Sequence, residues 1–593
     1  MYGIKKAITL SLSVSLILTM TSCASKKSNI DASQATATQS TSAATTGVNQ
    51  TVKQLVSENI HVNQIGYFSS DKKIAIINGQ YSSFEVVDTA TKKVVLTKNL
   101  DGKVKDDSSG DSVCYADFSE ITTAGQYFIS IPELGKSYDF KIGDKRIYTG
   151  IADGMLKALY LQRCGIVIDS KYAGEYTHGA CHKELAKIYG NENKEIDVSG
   201  GWHDAGDYGR YVVPAAVTAA DLLMAYEFYP NSFTDSTNIP ESSNNIPDIL
   251  DEAKYGIDWM LKMQDKLSGG VYHKVTAMGF PDITLMPDID VDDMYVMPVS
   301  TTATADFAAV TAMAARIYKE INPGFSQSCL NASLKAWEWL ENNTKFVEFK
   351  NPSDILTGEY GDNSGSDEIS WAAAELLRTT GEKKYGDNFV DNFHSSGFGL
   401  GWQNVSGFAA IAYMFCDSDK IDLKKYEEIR KSWIEKADMF VATAKKDGYL
   451  LAMHKMEYTW GSNMNVANHA KHLLVADRLS NNEEYTETVK NAAHYLMGRN
   501  TLSQCYITGF GSKQIMQPHH RPSLGDMVKQ PIPGLVVGGP NSTLDDSVSK
   551  SKLSGLAPAK CYIDDMSSYG TNEVATYWNS PTIFVFGYLN QQR

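Results

Sequence analysis

Short runs of alternating apolar and polar residues characterise the chain from about residue 57 to residue 142. The clearest runs are residues 73–77, 84–87, 93–96, 125–131 and 138–142. Successive side chains of a strand point to opposite faces, so this period of two indicates strands with one buried face. Several such strands separated by turn residues predict a small antiparallel β-sandwich.

From residue 148 onward the apolar residues recur at the three- and four-residue spacing of helices. The clearest segments are residues 213–229, 246–264, 302–321, 368–379, 424–446 and 484–497. Loops rich in Gly, Asn and aromatic residues separate them, and these loops contain the sharpest chemical motifs. We therefore expect a mainly helical domain that presents a functional site on its loops.

Size and charge narrow the class of protein. A chain of 593 residues exceeds what one hydrophobic core usually organises, and 43% hydrophobic with 21% charged residues is ordinary for a globular protein. We expect two domains and a tail. The net charge of −15 and the absence of strongly clustered Lys or Arg exclude nucleic acid as a partner, since phosphate binding needs basic patches. A neutral polysaccharide fits better.

The N-terminus, residues 1–23, has the pattern of a bacterial lipoprotein signal. Lys5 and Lys6 precede an apolar stretch over residues 7–20, and small residues follow before Cys23. Met20 stands where such signals usually carry leucine, which leaves an ordinary secretory signal or a membrane anchor as alternatives. The chain is therefore expected to be exported, either anchored at the bacterial cell surface by a lipid on Cys23 or secreted.

Residues 24–56 are rich in Ser, Thr, Ala and Gln and almost free of large apolar residues. Because such a segment buries too little apolar surface to fold, it is predicted to be a disordered tether. The seven cysteines other than Cys23 are odd in number and scattered, which is a poor disulfide framework even in an exported protein.

Two acidic motifs about 370 residues apart indicate a glycosidase. Asp204 and Asp207 lie three residues apart in a Gly-rich turn, where both carboxylates can reach one water molecule, and Glu573 lies among aromatic residues. Glycosidic hydrolysis needs one carboxylic acid to protonate the leaving oxygen and one carboxylate to activate water or attack the sugar. Read alone, each motif also fits a solvated turn or a helix terminus.

Seven segments in matching order make a family resemblance specific: residues 160–164, 181–182, 197–207, 458–463, 498–500, 518–521 and 564–579. Over about residues 57–593 the chain resembles glycoside hydrolase family 9, in the group with an N-terminal immunoglobulin-like domain. The resemblance implies a mainly α fold, with an (α/α)6 barrel over residues 146–593 preceded by an immunoglobulin-like β-sandwich over residues 57–145. It also implies hydrolysis of β-1,4-glucan with inversion.

The resemblance assigns roles to the acidic motifs position by position. The family's catalytic base falls on Asp207, with Asp204 helping to hold the nucleophilic water, and its proton donor falls on Glu573. His519 and Arg521 match residues that contact the sugar beside the scissile bond. Read alone, the His-His-Arg sequence is as readily a basic surface turn.

Further residues of the motifs are expected to support or line the site. Asp564 matches an active-site acid of the family with a supporting role. Tyr458 and Trp460 resemble aromatic residues of the family's cleft, and Trp202 and Trp578 are candidates to join them because aromatic faces stack on sugars. Since a single aromatic residue is more often part of a core, these four are proposed as a group.

Two metal sites are implied. Two Cys and two His ligands suit a closed structural zinc site, and the matching positions of the immunoglobulin-bearing group hold zinc: Cys164, Cys181, His182 and His203. A zinc ion there would brace the loop that carries Asp204. An acidic segment resembles a family calcium site and would supply oxygen ligands from Asp362, Asp367 and Glu368. The same segment also fits an acidic first turn of a helix.

The sequence thus predicts an inverting endoglucanase, or cellulase, that acts on a β-glucan polysaccharide or oligosaccharide. The protein is expected to be a monomer and to contact the membrane only through a lipid on Cys23. An exo-acting enzyme on cello-oligosaccharides or on glucosamine oligomers is the alternative within this class. A non-catalytic, lipid-tethered glycan-binding protein is the rival of another class, although such a protein has no reason to retain Asp207 and Glu573 together.

Overall fold

The computed structural model describes residues 55–144, 146–394 and 397–591. The predicted signal peptide, Cys23 and all but the last two residues of the predicted tether lie outside these residues. Within the described ranges, no helix combines the length and the apolar character needed to cross a bilayer.

Ten strands form a β-sandwich at the N-terminal end of the described chain. One sheet has the order β1-β3-β7-β6, and the other has the order β2-β10-β8-β4-β5 with β9 paired to β8. Apolar side chains from both sheets, among them Ile77 of β3 and Ile129 of β8, fill the space between them. The strands are β1 Ile60–His61, β2 Gly66–Phe68, β3 Ile74–Asn78, β4 Ser83–Asp88, β5 Val94–Asn99, β6 Asp101–Lys105, β7 Ser112–Asp117, β8 Gly125–Ile131, β9 Gly135–Lys136 and β10 Phe140–Gly143.

Twelve described helices of nine or more residues build the second domain. Inner helices pack in the order α16, α3, α5, α7 and α9, and α11 packs on α16. Each inner helix also packs against at least one outer helix: α1, α4, α6, α8, α10 or α12. The bounds are α1 Thr149–Leu161, α3 Val212–Phe228, α4 Asp248–Lys262, α5 Thr301–Ile317, α6 Pro323–Asn342, α7 Ser366–Thr380, α8 Lys383–Asn392, α9 Ser406–Met414, α10 Leu423–Lys446, α11 Ser462–Ser480, α12 Glu483–Leu496 and α16 Thr576–Gln591. The predicted barrel preceded by a β-sandwich is confirmed.

The two layers of helices follow from their sequences. Inner helices such as α5 are built largely of Ala and Thr and are buried over almost their whole length, so small side chains let neighbouring helices approach closely. Outer helices such as α10 bury one stripe and present Lys and Glu to solvent. Short helices lie in the connecting segments: α2 Ser170–Ala173, α13 Arg521–Gly525, α14 Ser547–Leu553 and α15 Tyr569–Asn572.

A third sheet positions the segment that leads into α3. Its order is β12-β11-β15-β14-β13, and Tyr211 of β13 pairs with Lys274 of β14. Its strands are β11 Ala186–Ile188, β12 Asn191–Ile196, β13 Arg210–Tyr211, β14 Lys274–Thr276 and β15 Tyr295–Val296. Because β13 directly follows the turn with Asp204 and Asp207, this sheet and α3 together fix where that turn lies.

Candidate active site

The three carboxyl groups predicted to act together line one cleft of about 530 Å³. Asp204 and Asp207 come from the turn before β13, and Glu573 comes from the residue after α15. Folding thus brings together groups that are more than 360 residues apart in the sequence. The remaining lining includes several aromatic side chains: Tyr211, Phe280, Tyr360, Trp402, Trp460, Tyr577 and Trp578.

Backbone contacts hold the turn with the two aspartates against its neighbours. The backbone N–H of Asp204 donates to the carbonyl of Gly209 at 3.0 Å, and its own carbonyl accepts from the N–H of Thr576 at 2.8 Å. Gly206 is required between them, since a Cβ there would lie 2.2 Å from the carbonyl oxygen of His519. The turn is therefore pressed directly against the segment beside Glu573.

Each aspartate accepts a hydrogen bond from a tyrosine that the motifs did not reveal. The hydroxyl of Tyr360 donates to Oδ2 of Asp204 at 2.5 Å, and the hydroxyl of Tyr211 donates to Oδ2 of Asp207 at 2.9 Å. Tyr211 lies four residues after Asp207, close enough in sequence to be a candidate from the motif itself. Tyr360 lies on a separate segment, and only the fold places it here.

Burial and charge set different pKa values for the three carboxyl groups. Burial raises the pKa of Glu573 well above its ordinary value, and the charges of Asp207 and Asp204 raise it further. Burial and the charge of Asp207 raise the pKa of Asp204 well above its ordinary value. Burial also raises the pKa of Asp207, but the positive charge of Arg521 and the hydroxyl of Tyr211 oppose this effect. This arrangement favours an ionised Asp207 beside a protonated Glu573.

The segment beside Glu573 is held by Asp564. Its carboxylate accepts hydrogen bonds from the backbone N–H groups of Met516 and Gln517, at 2.7 and 2.8 Å, and from the side-chain amide of Asn572 at 2.9 Å. The backbone N–H of His519 in turn donates to the carbonyl of Asn572 at 2.8 Å. Asp564 therefore links residues 516–517 to Asn572, the residue before Glu573, and its supporting role stays a prediction.

His519 lies next to Glu573 in space, where their backbones form a bridge. Its Nδ1 lies 2.7 Å from the carbonyl oxygen of Met566. Burial lowers the pKa of His519, so the ring is neutral and Nδ1 carries the proton that it donates. Its orientation is fixed beside the proton donor, as expected for a residue near the scissile bond.

Arg521 is bound to backbone carbonyl groups of two cleft loops. Its guanidinium donates to the carbonyl of Gly206 at 2.6 Å and twice to the carbonyl of Pro281, at 2.9 and 3.0 Å. Only 5% of the residue is exposed. Arg521 therefore ties two cleft loops together and places a positive charge near Asp207, and its contact with the sugar stays a prediction.

Two of the four aromatic residues predicted to line the cleft do line it. Trp460 is 45% exposed in the cleft, and its indole N–H contacts Glu573. Trp578 also contributes to the cleft lining, although it is 3% exposed and packs under Gly461. Trp402 is a further lining residue that the motifs missed.

Two aromatic predictions are wrong. Trp202 is buried, and its indole N–H donates to Glu252 at 2.6 Å while its ring packs on Gly256 of α4. Tyr458 is also buried, with 2% of its surface exposed, and only the two residues after it reach the cleft. Both lie within motifs whose neighbouring residues face the cleft, and a loop sequence does not specify which side chains point inward.

The four predicted zinc ligands are gathered beside the turn with Asp204. Their ligand atoms all lie within 4.8 Å of one another, and within the described residues no other set of three or more such side chains is as close: Cys164, Cys181, His182 and His203. The two sulfur atoms are 3.8 Å apart, and each lies 3.6 Å from an imidazole nitrogen. Tetrahedral zinc requires about 3.8 and about 3.5 Å for such pairs, so the donor set fits zinc.

Glu368, one of the three predicted calcium ligands, lies with Asp306 in a cluster of acidic side chains. All four oxygens of Asp306 and Glu368 are buried and without a hydrogen-bond partner among the described residues. Burial, with the neighbouring acids, raises the pKa of both well above ordinary values. Asp367 accepts from the N–H of Val405, and Asp362 accepts from N–H groups of its own turn. Asp306 was absent from the sequence prediction because it lies on α5, far from the acidic motif.

Comparison with known proteins agrees with this geometry. The descriptions that match are "Glycosyl hydrolase family 9" over residues 148–586 and "Cellulase N-terminal ig-like domain" over residues 56–136. A cellodextrinase of Butyrivibrio fibrisolvens is 36% identical over 552 residues, which cover 88% of this chain and 98% of that protein. Endoglucanase D of Acetivibrio thermocellus is 35% identical over 542 residues, with 90% and 83% covered.

A solved structure agrees as well. The zinc-binding triple mutant of a family 9 endoglucanase superposes with a TM-score of 0.84 at 34% identity, covering 89% of this chain and 100% of that chain. Both domains and the order of the acidic motifs are thus accounted for by one family. The chain belongs to glycosyl hydrolase family 9 and is a glycoside hydrolase with an N-terminal immunoglobulin-like domain.

Proposed function

We propose that this enzyme hydrolyses internal β-1,4-glucosidic bonds of a glucan with inversion at the anomeric carbon. Glu573, kept protonated by its surroundings, donates a proton to the leaving oxygen. Asp207, as the carboxylate, removes a proton from a water molecule that attacks the anomeric carbon from the opposite face, and Asp204 orients that water. A β-linked substrate then yields a product whose new reducing end is initially the α-anomer.

One observation carries this proposal: the three carboxyl groups share one cleft with unequal surroundings. Arg521 and the hydroxyl of Tyr211 favour the ionised form of Asp207, whereas burial and the charges of Asp207 and Asp204 favour the protonated form of Glu573. An acid and a base of the same chemical type are thereby given opposite protonation states. The exposed face of Trp460 supplies a platform for a sugar ring beside Glu573. The resemblance to endoglucanase D supports endo action.

Zinc is proposed as a structural cofactor. The two thiol and two imidazole ligands would complete a closed tetrahedral site, which does no chemistry on the substrate. Asp290 lies 3.4 Å from Nε2 of His182 and would orient that ring, as carboxylates commonly orient zinc ligands. Because His203 directly precedes Asp204, zinc would stabilise the conformation of the turn that carries Asp207.

Calcium is proposed at the cluster around Glu368. Asp306 and Glu368 leave four buried oxygens without partners among the described residues, and buried carboxylates of this kind require a cation or a proton. Asp362 and Asp367 would complete an all-oxygen set. Such a site lies at the start of α7 and would hold the segment that contains Tyr360.

We further propose that the enzyme is a monomer exported to the cell surface and anchored there by a lipid on Cys23, with secretion as the alternative. The basic residues, apolar stretch and cysteine of the N-terminus support this location. The substrate would then be β-glucan polysaccharide or oligosaccharide near the cell.

The test is proton NMR of the purified protein, without residues 1–54, acting on cellopentaose. Initial release of the α-anomer with a mixture of internal products is the expected result. Release of only glucose or cellobiose would instead assign exo action, and release of the β-anomer would overturn the mechanism. If neither cellopentaose nor glucosamine oligomers were cleaved, and the affinity for glycan were the same in Glu573→Gln, the glycan-binding rival would be favoured.

A further inference from the structure

Lys274 is a buried cation behind the two aspartates, and the mechanism above gives it no role. It lies on β14 directly opposite Tyr211 of β13, and 0% of its surface is exposed. Burying an ammonium group is costly unless hydrogen bonds and negative charge compensate it. Neighbouring groups must therefore compensate the buried charge of Lys274.

The ammonium group of Lys274 makes three hydrogen bonds to a single segment. It donates to the side-chain carbonyl of Asn351 at 2.8 Å, to the backbone carbonyl of Gly358 at 2.6 Å and to the hydroxyl of Thr357 at 3.2 Å. The same ammonium lies 5.4 Å from the ring centre of Tyr211. Lys274 thus connects residues 351–358 to the strand pair that carries Tyr211.

Both tyrosines that bind the catalytic aspartates depend on these elements. Tyr360 follows the segment held by Lys274, and Tyr211 pairs with Lys274 across the two strands. The ring centres of Tyr211 and Tyr360 lie 4.7 Å apart. Tyr360 has a φ of 51°, in the left-handed region, which is unfavourable for a bulky side chain and persists only when neighbours enforce it. The hydrogen bonds of Lys274 to Thr357 and Gly358, which lie just before Tyr360, supply such enforcement.

Resting on the role proposed above for Asp207, we propose that Lys274 is a positioning residue for hydrolysis: it holds Tyr360 and Tyr211 in place and favours the ionised form of the Asp207 base. The positional effect acts through the hydrogen bonds to residues 351–358. The electrostatic effect acts through the positive charge, which lies behind the ring whose hydroxyl binds Asp207.

The charges around Lys274 agree with this electrostatic role. Burial lowers the pKa of Lys274 to about 7, and the negative charges of Asp207 and Glu359 oppose the decrease. The neighbouring ring of His273 is neutral, since burial lowers its pKa to about 3. Below pH 7 the ammonium group is therefore charged, and by reciprocity it stabilises the carboxylate of Asp207.

Asp207 also faces other groups, which fixes the sign of the expected effect. Arg521 and the hydroxyl of Tyr211 favour its ionised form, whereas burial and the nearby carboxyls of Asp204 and Glu573 oppose ionisation. Removing the charge of Lys274 removes one of the favourable contributions. The pKa of Asp207 then rises, and the acidic limb of kcat/KM, which requires the carboxylate, moves to higher pH.

The experiment measures kcat and kcat/KM on cellopentaose across the acid and neutral range for Lys274→Met, Lys274→Arg and Thr357→Val. Lys274→Met should lower kcat and move the acidic limb to higher pH. Lys274→Arg, which keeps the charge, should leave the limb near its original position. Thr357→Val removes one hydrogen-bond partner without changing charge, so it should lower kcat and leave the limb unmoved.

An unchanged acidic limb in Lys274→Met would overturn the electrostatic role, as would an equal shift in Thr357→Val or in Lys274→Arg. If Lys274→Met is not recovered folded, Lys274→Gln deletes the same charge while retaining a hydrogen-bond donor, and the same outcomes apply. Asp207→Asn separates the two proposals. Full activity in that variant would refute the proposed base, whereas loss of activity with no shift in the lysine variants would refute the inference alone.

Discussion

The hydroxyl of Tyr360 offers a stringent test of how the attacking water is held. Tyr360→Phe removes one oxygen atom and keeps the ring that lines the cleft. The lost group donates the hydrogen bond of 2.5 Å to Oδ2 of Asp204, the one side-chain hydrogen bond to this carboxylate among the described residues. Asp204 then remains buried without that partner.

The size of the effect follows from the burial of the acceptor. A buried acceptor left without its partner costs about 1–3 kcal/mol, and about 1.4 kcal/mol corresponds to a tenfold change in rate. If Asp204 orients the water only for the chemical step, the loss falls on kcat. We therefore expect kcat to fall about 10- to 100-fold while KM changes by less than about threefold.

The assay is steady-state hydrolysis of cellopentaose by Tyr360→Phe and by Tyr577→Phe. Tyr577 is a matched control, because its hydroxyl lies in the same part of the cleft and 3.3 Å from that of Tyr360. No bond from the Tyr577 hydroxyl to a carboxylate is found among the described residues. A kcat for Tyr360→Phe within twofold of the wild type, or an equal loss in Tyr577→Phe, would refute the assigned role of Asp204.

Three further predictions concern the acid, the metal and the aromatic residues. Glu573→Gln should lower kcat on cellopentaose about 10²- to 10⁴-fold and abolish the basic limb of a bell-shaped pH profile. The loss should be much smaller on an aryl cellobioside whose leaving group needs no protonation. Cys181→Ser should release bound zinc, measured by elemental analysis, and lower both Tm and kcat with little change in KM. Trp460→Ala should raise KM, whereas Trp202→Phe should leave KM unchanged and lower Tm, because it removes a hydrogen bond to buried Glu252.

The fold was largely predictable because its periodicity is strong. The six helical segments identified from apolar spacing correspond to α3, α4, α5, α7, α10 and α12, and the five alternating runs correspond to β3, β4, β5, β8 and β10. Each period reflects a face that must be buried, so it is visible without knowledge of the fold. The arrangement of helices into two layers was implied only by the family resemblance.

The site was predictable only where its chemistry is local in sequence. Asp204, Asp207 and Glu573 stand in motifs whose composition reveals them. Tyr360 and Lys274 carry no such signal, because their importance comes from what the fold places beside them. Trp202 shows the opposite error: it lies two residues before Asp204, yet its side chain turns away from the cleft to Glu252.

The misassigned Trp202 reveals how the buried base is kept in place. A turn that carries two buried carboxyl groups has a strong tendency to open, since water stabilises their charge better than the protein interior does. Several independent contacts oppose that opening: Trp202 is bound to Glu252, His203 belongs to the proposed zinc site, and Arg521 holds the carbonyl of Gly206. Because these contacts hold different residues of the turn, loss of one of them should misplace Asp207 by a small distance without unfolding the barrel. Variants in this support should therefore lower kcat more than they change KM.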